Sequence, residues 1–153
     1  MSLVADPKRI RLAMVGVVEG NGHPYSWSAI INGRYNREAM TACGYPLIPQ
    51  YLDAQPPSAL GIPGIDVTHI WCDRPQDAAN VARATFIPHV VDRPTDVIGH
   101  VDAVMIPTDI GGEHIERARP SLKPACPSLS TNPWLIGKTT YTSLLVGVPK
   151  DWP

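Results

Sequence analysis

The first regular pattern in the chain is an apolar run, Arg11-Leu12-Ala13-Met14-Val15, that stops at Gly16. A short run without polar alternation suits a strand buried on both faces and entering a glycine-rich turn. Beyond the turn, Pro24 to Asn32 places Trp27, Ile30 and Ile31 on one side, has proline in its first turn and meets Gly33 at its end, which predicts a short helix. Arg34 to Gly64 carries Pro46, Pro49, Pro56, Pro57 and Pro63, so loops are expected there, with at most a short helix near Asn36 to Ala42. Regularity returns with a strand from Asp66 to Cys72 that ends at Asp73. Pro75 to Thr85 has Ala78, Val81 and Ala82 at helical spacing and predicts a helix. A short strand from Ile87 to Val91, a Pro94-led helix to Ile98, a strand from Val101 to Ile106 and a helix from Gly112 to Arg119 complete the series. Such alternation points to the α/β class, a doubly wound parallel sheet forming a Rossmann-like domain. Ligands of these sheets sit beyond the carboxyl ends of the strands.

Composition narrows the picture. The chain has 153 residues, 44% of them hydrophobic, and a net charge of -1, which describes one domain with an adequate core. It has no run of eighteen apolar residues and no basic-then-apolar N-terminus, so neither a membrane span nor a secretory signal is expected and a cytoplasmic setting follows. Near-neutral charge argues against nucleic-acid binding, which needs clustered Lys and Arg. Cys43, Cys72 and Cys126 are odd in number and lack CxxC spacing, so they read as reduced thiols. His23, His69, His89 and His100 show no HxxxH or HxxE pairing, and no metal site is expected.

Candidate chemistry lies at the predicted strand ends. The turn after the first strand reads Gly16-Val17-Val18-Glu19-Gly20-Asn21-Gly22-His23-Pro24. Gly16, Gly20, Asn21, Gly22 and His23 are candidates to approach a pyrophosphate at the start of the next helix, where the dipole favours negative charge. The spacing is not GxGxxG, and Glu19 would be unwelcome beside a phosphate; a plain connecting turn is the other reading. Asp73 is placed to accept hydrogen bonds from an adenosine ribose and disfavour a 2'-phosphate, or else to cap the following helix. Arg74 is placed to meet a 2'-phosphate, so any preference for NAD over NADP is weak. The span from Gly16 to Asp73 far exceeds the usual twenty or so residues, the excess being the Arg34 to Gly64 excursion. Pro107 and Thr108 follow the strand from Val101, where Thr108 can line the nicotinamide path or, with Asp109, cap a helix. His114 is either a site residue or a surface histidine; Trp27 and Trp71 read as core or subunit contacts.

This order of parts resembles the nucleotide-binding half of the glucose-fructose oxidoreductase and inositol dehydrogenase (Gfo/Idh/MocA) family. The resemblance is carried by Arg11-Leu12-Ala13-Met14-Val15-Gly16, by Trp71-Cys72-Asp73-Arg74-Pro75, by Val101-Asp102-Ala103-Val104-Met105-Ile106-Pro107-Thr108 and by His114-Ile115-Glu116-Arg117-Ala118. Asn21-Gly22-His23-Pro24-Tyr25-Ser26-Trp27 looks like a subgroup signature. The resemblance implies a domain over residues 9–122 that holds NAD or NADP, and a hydride transfer completed by a second, substrate-holding domain.

The family continues with a strand and a Glu/Asp-Lys-Pro motif whose lysine assists proton transfer. Here Asn132 stands at the lysine position and the motif is absent. The charge pattern changes at the same place: thirteen of fourteen acidic residues lie at or before Glu116, while three of the four lysines fall between Ala118 and Lys150. Codons read one base earlier from Lys123 to Leu135 permit Glu-Ala-Gly-Leu-Pro-Val-Phe-Val-Asp-Lys-Pro-Leu-Ala, the missing strand and motif. A reading-frame slip near Leu122 is therefore expected, with residues 123–153 an irregular tail; an authentic divergent tail is the alternative. The functional expectation is an NAD(P)-binding domain of an oxidoreductase, without the substrate domain and without turnover alone, and a homo-oligomer through the apolar surface left uncovered. The alternatives are a stand-alone nucleotide-binding or oligomerising module and a methyl-transfer site, since an acidic strand end also suits that adenosine ribose.

Overall fold

The computed structural model describes residues 6, 8–119 and 144–147. Its strands are β1 (Ile10–Val15), β2 (Ile65–Trp71), β3 (His89–Val90), β4 (Ala103–Ile106) and β5 (Leu144–Gly147), and its helices are α1 (His23–Asn32), α2 (Arg37–Thr41), α3 (Leu47–Ala54), α4 (Pro75–Thr85) and α5 (Gly111–Ala118). They form one sheet in the order β3-β2-β1-β4-β5. The first four strands are parallel, each reached by a crossover, as the alternation of apolar runs and helices demands. The architecture is the α/β, doubly wound, Rossmann-like one.

The sheet separates two cores. Leu12, Met14, Val67, Ile70 and Cys72 pack with Tyr25, Ala29, Met40 and Leu52 on one face, where α4 adds Ala78, Val81 and Ala82. On the other face Ala13, Val15, Val104 and Ile106 meet Val97, Val101 and Ala118, with Trp71 alongside. Strands buried on both faces explain why their sequence reads as continuous apolar runs. Buried Asn32 ties α1 to the sheet by bonding both the N–H and the C=O of Val67, at 2.7 and 3.1 Å. Buried Asp102 holds the entry of β1, accepting from the Arg11 N–H at 2.9 Å and from its Nε at 3.2 Å.

Four expectations are corrected. The proline-rich excursion contains a second helix, α3, and a 3-10 turn at Pro57–Ala59. Pro46 is the N-cap of α3 and Pro49 lies in its first turn, where a missing N–H removes no intrahelical bond. The strand expected from Ile87 to Val91 is only His89–Val90, and the Pro94-led helix is a 3-10 turn, Pro94–Val97. The tail is not wholly irregular, because Leu144–Gly147 lies antiparallel along β4. The remainder of residues 123–153, Cys126 and Asn132 included, lies outside the described residues. Among the described residues no helix is long and apolar enough to cross a membrane.

Candidate functional site

The order in which strands are added reverses between β1 and β4. From β1 the chain builds outward through β2 to β3, then returns to place β4 on the other side of β1. In open α/β sheets ligands gather at such a reversal point, and here the turns leaving β1 and β4 lie against each other at the carboxyl edge of the sheet. Of the predicted residues, Gly16 and Asn21 of the first turn meet Pro107 and Thr108 of the second there.

Gly16 leaves β1 with φ of 96°, a left-handed backbone that glycine adopts without strain, and its N–H donates to the Trp71 carbonyl at 2.8 Å. A Cβ at Gly16 would lie 3.0 Å from Thr108 Cγ2 and 3.1 Å from Arg117 Nη1, so the bare backbone lets the second turn close over the first. Asn21 ties the two turns together. It is buried, its amide nitrogen donates to the Pro107 carbonyl at 2.8 Å and to the Asp109 carboxylate, and its amide oxygen accepts the His23 N–H at 2.8 Å. Its hydrogen-bonding atoms thus hold the loop in shape. His23 stacks on Trp27 with ring centroids 4.5 Å apart, and its Nδ1 stands 3.9 Å from the Asp109 carboxylate.

The start of α1 has few donors to spare. The His23 N–H serves Asn21, residue 24 is proline, and the Tyr25 and Ser26 N–H groups both reach the Gly22 carbonyl. An anion there would be held by the helix field more than by direct hydrogen bonds. Gly22 lacks room for a side chain because Ile48 Cδ1 lies 2.5 Å and Tyr45 Cγ 2.9 Å from where its Cβ would be, so α3 makes the close approach. Gly20, at φ of 83°, faces open space beside exposed Glu19.

Asp73 leaves β2 toward α5, not toward α4. Its Oδ2 accepts from Arg117 Nη1 at 2.7 Å, and α4 has no side-chain cap, which corrects the capping alternative. Arg74 turns back on Asp77 at 2.8 Å and is exposed. Neither Thr108 nor Asp109 caps α5 either, since its N-cap is Ile110 with no side-chain bond. Thr108 is buried and its hydroxyl has no hydrogen-bond partner among the described residues, an unusual condition for a buried oxygen. His114 is not a surface histidine: it is buried, and its Nε2 meets the Thr108 carbonyl at 2.6 Å, which requires Nε2 to carry the proton.

The sequence reading did not single out Arg117 as a site residue. It lies only 14% exposed at the floor of a cleft of about 280 Å³, lined by Trp71, Asp73, Pro94, Glu113, Glu116 and itself. Burial works against its charge, but hydrogen bonds to Asp73 and Glu113 outweigh this and raise its pKa above the ordinary arginine value. The contact with Asp73 spans 44 residues of sequence, and no local motif announces it. Nearby Cys72 is buried and free, and burial pushes its thiol up to about 12, so it stays protonated and unreactive. No group of metal-ligating side chains is present among the described residues. Compared with models of protein families, with curated proteins and with solved structures, the chain matches none.

Proposed function

We propose that this chain is a dinucleotide-binding module of the oxidoreductase type, holding NAD or NADP at the carboxyl edge of the sheet, where the Gly16 and Thr108 turns meet. The observation that carries the reading is the meeting of those turns at the reversal point of the strand order, with Asp73 at the end of the neighbouring strand. Ligands of open α/β sheets gather at such points. The orphaned Thr108 hydroxyl supports the reading, because a bound ligand would give a buried oxygen the partner it lacks. The residue-level resemblance to the Gfo/Idh/MocA family supports the oxidoreductase class.

The reading is of binding without turnover. The two turns include no lysine, and Asn132, at the family's lysine position, has an amide that exchanges no proton at neutral pH. A reducing, cytoplasmic setting belongs to the same proposal and is supported by free Cys43 and Cys72.

Titration with NADH, NADPH and S-adenosylmethionine, followed by tryptophan fluorescence, tests the proposal. Saturable quenching by a nicotinamide dinucleotide is expected, with no hydride transfer to or from sugars and polyols. A response to none of the three would leave the stand-alone oligomerising module, and a response to S-adenosylmethionine alone would move the site to methyl transfer. Measurable reduction or oxidation would defeat the claim of binding without turnover.

A further inference from the structure

Consecutive residues of a strand point to opposite faces of a sheet. Thr68 and His69 nonetheless line one cavity, of about 460 Å³, and Thr68 is the residue left over where β2 steps against Leu12 and Ala13 of β1, a bulge of the kind that re-aims side chains. The wall also holds Arg11 of β1, His89 of β3, Asp96 of the 3-10 turn and His100 ahead of β4. The His69 ring centroid stands 4.6 Å from that of His89 and 5.8 Å from that of His100. None of these residues belongs to the Gly16 or Thr108 turn, so the cavity is separate from the carboxyl-edge site.

The charges around the rings cancel until the histidines gain protons. Arg11 is paired with Asp102 at 3.2 Å, and Asp96, the carboxylate among the described residues of the wall, with Arg93 at 2.8 Å. Each proton taken up by the rings is therefore a positive charge that the wall does not answer. The Thr68 hydroxyl donates to the Leu12 carbonyl at 3.4 Å and so accepts from Nδ1 of His69 at 2.9 Å, which leaves Nε2 as the basic nitrogen of that ring. Burial first, and the neighbouring His89, His100 and Arg11 after it, push the pKa of His69 down to about 4. An anion seated among the rings would turn that repulsion into attraction.

We propose that this cavity is a second ligand site, which takes up a phosphate-type oxyanion together with a proton from solvent, held by His69, His89, His100 and Arg11. The site does not depend on the dinucleotide reading. Its volume is in the range of small-molecule pockets, so there is room for a small phosphate monoester as well as for the free ion.

Imidazole proton NMR of the whole chain at pH 5.5, titrated at constant ionic strength with inorganic phosphate or with glycerol 2-phosphate, tests this. The five histidines supply both the readout and its control. Signals of His69, His89 and His100 should shift and saturate together, and His69 should gain its proton at a higher pH than in chloride. His23 and His114, at the carboxyl edge, should not follow. The two titrants tell a free ion from an ester, and saturation by either meets the expectation. Sulfate, whose charge is constant over this range, should bind about tenfold more weakly at pH 8, where the rings are neutral. His89→Gln and His100→Gln, at exposed positions, should each weaken the anion about threefold or more and leave melting in chloride unchanged. If phosphate and its ester never saturate or shift all five histidines alike, if sulfate is indifferent to pH, or if both variants bind as the native chain does, the site falls. Saturation of the three rings by Zn²⁺ but by neither anion would also overturn it, in favour of a metal site.

Discussion

His69 stands in the middle of β2, with the His89 ring centroid 4.6 Å and that of His100 5.8 Å from its own, and the Thr68 hydroxyl 2.9 Å from its Nδ1. Arg11 and Asp96 line the same cavity of about 460 Å³, Arg11 paired with Asp102 and Asp96 with Arg93. Burial pushes the pKa of His69 down to about 4, and the charges of His89, His100 and Arg11 act in the same direction. In the unfolded chain the ordinary value of about 6.5 returns. Between these values the unfolded state binds more protons, so stability is complete above about pH 6.5 and is lost as pH falls toward 4. Because the ring is partly solvated, a loss on the order of 1 kcal/mol is expected. Urea unfolding at pH 7 and pH 5 checks this, and His69→Gln should flatten the difference; an unchanged difference would mean that another group carries the pH dependence.

At the level of the element, Gly33 shows what joins the excursion to the sheet. It closes α1 at φ of 66°, and a Cβ there would meet the Gly61 Cα at 2.8 Å, backbone that cannot swing aside. Gly44 has a comparable φ of 87° but nothing within 4 Å of its Cβ position. Gly44→Ala should therefore cost about 1 kcal/mol for the left-handed backbone alone, and Gly33→Ala roughly 2–3 kcal/mol. Thermal unfolding by circular dichroism compares them, and equal losses would show that the Gly61 backbone yields.

Elements with local signals were legible in the sequence. Helix α4 runs from Pro75 to Thr85 as its proline start and alanine spacing predict. Helix α3 was hidden because prolines at its N-cap and in its first turn look like breakers when their position in a helix is unknown. The site divides in the same way. Asp73 and Thr108 are found by their place at strand ends, whereas the Asn21 bridge to Pro107 and the Arg117 bond to Asp73 join residues 86 and 44 apart. Only the closed topology brings such pairs together.

For the whole molecule, the unsettled surface lies on α3, where Leu47 is 76% and Tyr51 53% exposed, one turn apart. Apolar side chains neighbouring on one helix face favour burial against another surface. Self-association is therefore expected, and sedimentation velocity over a concentration series checks it. Leu47→Glu with Tyr51→Glu should restore the monomer. A native chain that sediments as a monomer at every concentration would remove the expectation.

The pairing of β1 with β2 is interrupted once: Leu12 faces Val67, Ala13 faces His69, and Thr68 between them is left over. An extra residue of this kind is absorbed as a bulge, so the ladder resumes in step through Val15 and Trp71. The inward and outward alternation that aims Asp73 at Arg117 is counted from the resumed ladder, downstream of the bulge. Length is thus absorbed at the bulge in the middle of β2 and not beyond it. Deleting Thr68 should therefore leave Asp73 facing Arg117, while a residue lost after Ile70 would turn Asp73 to the opposite face.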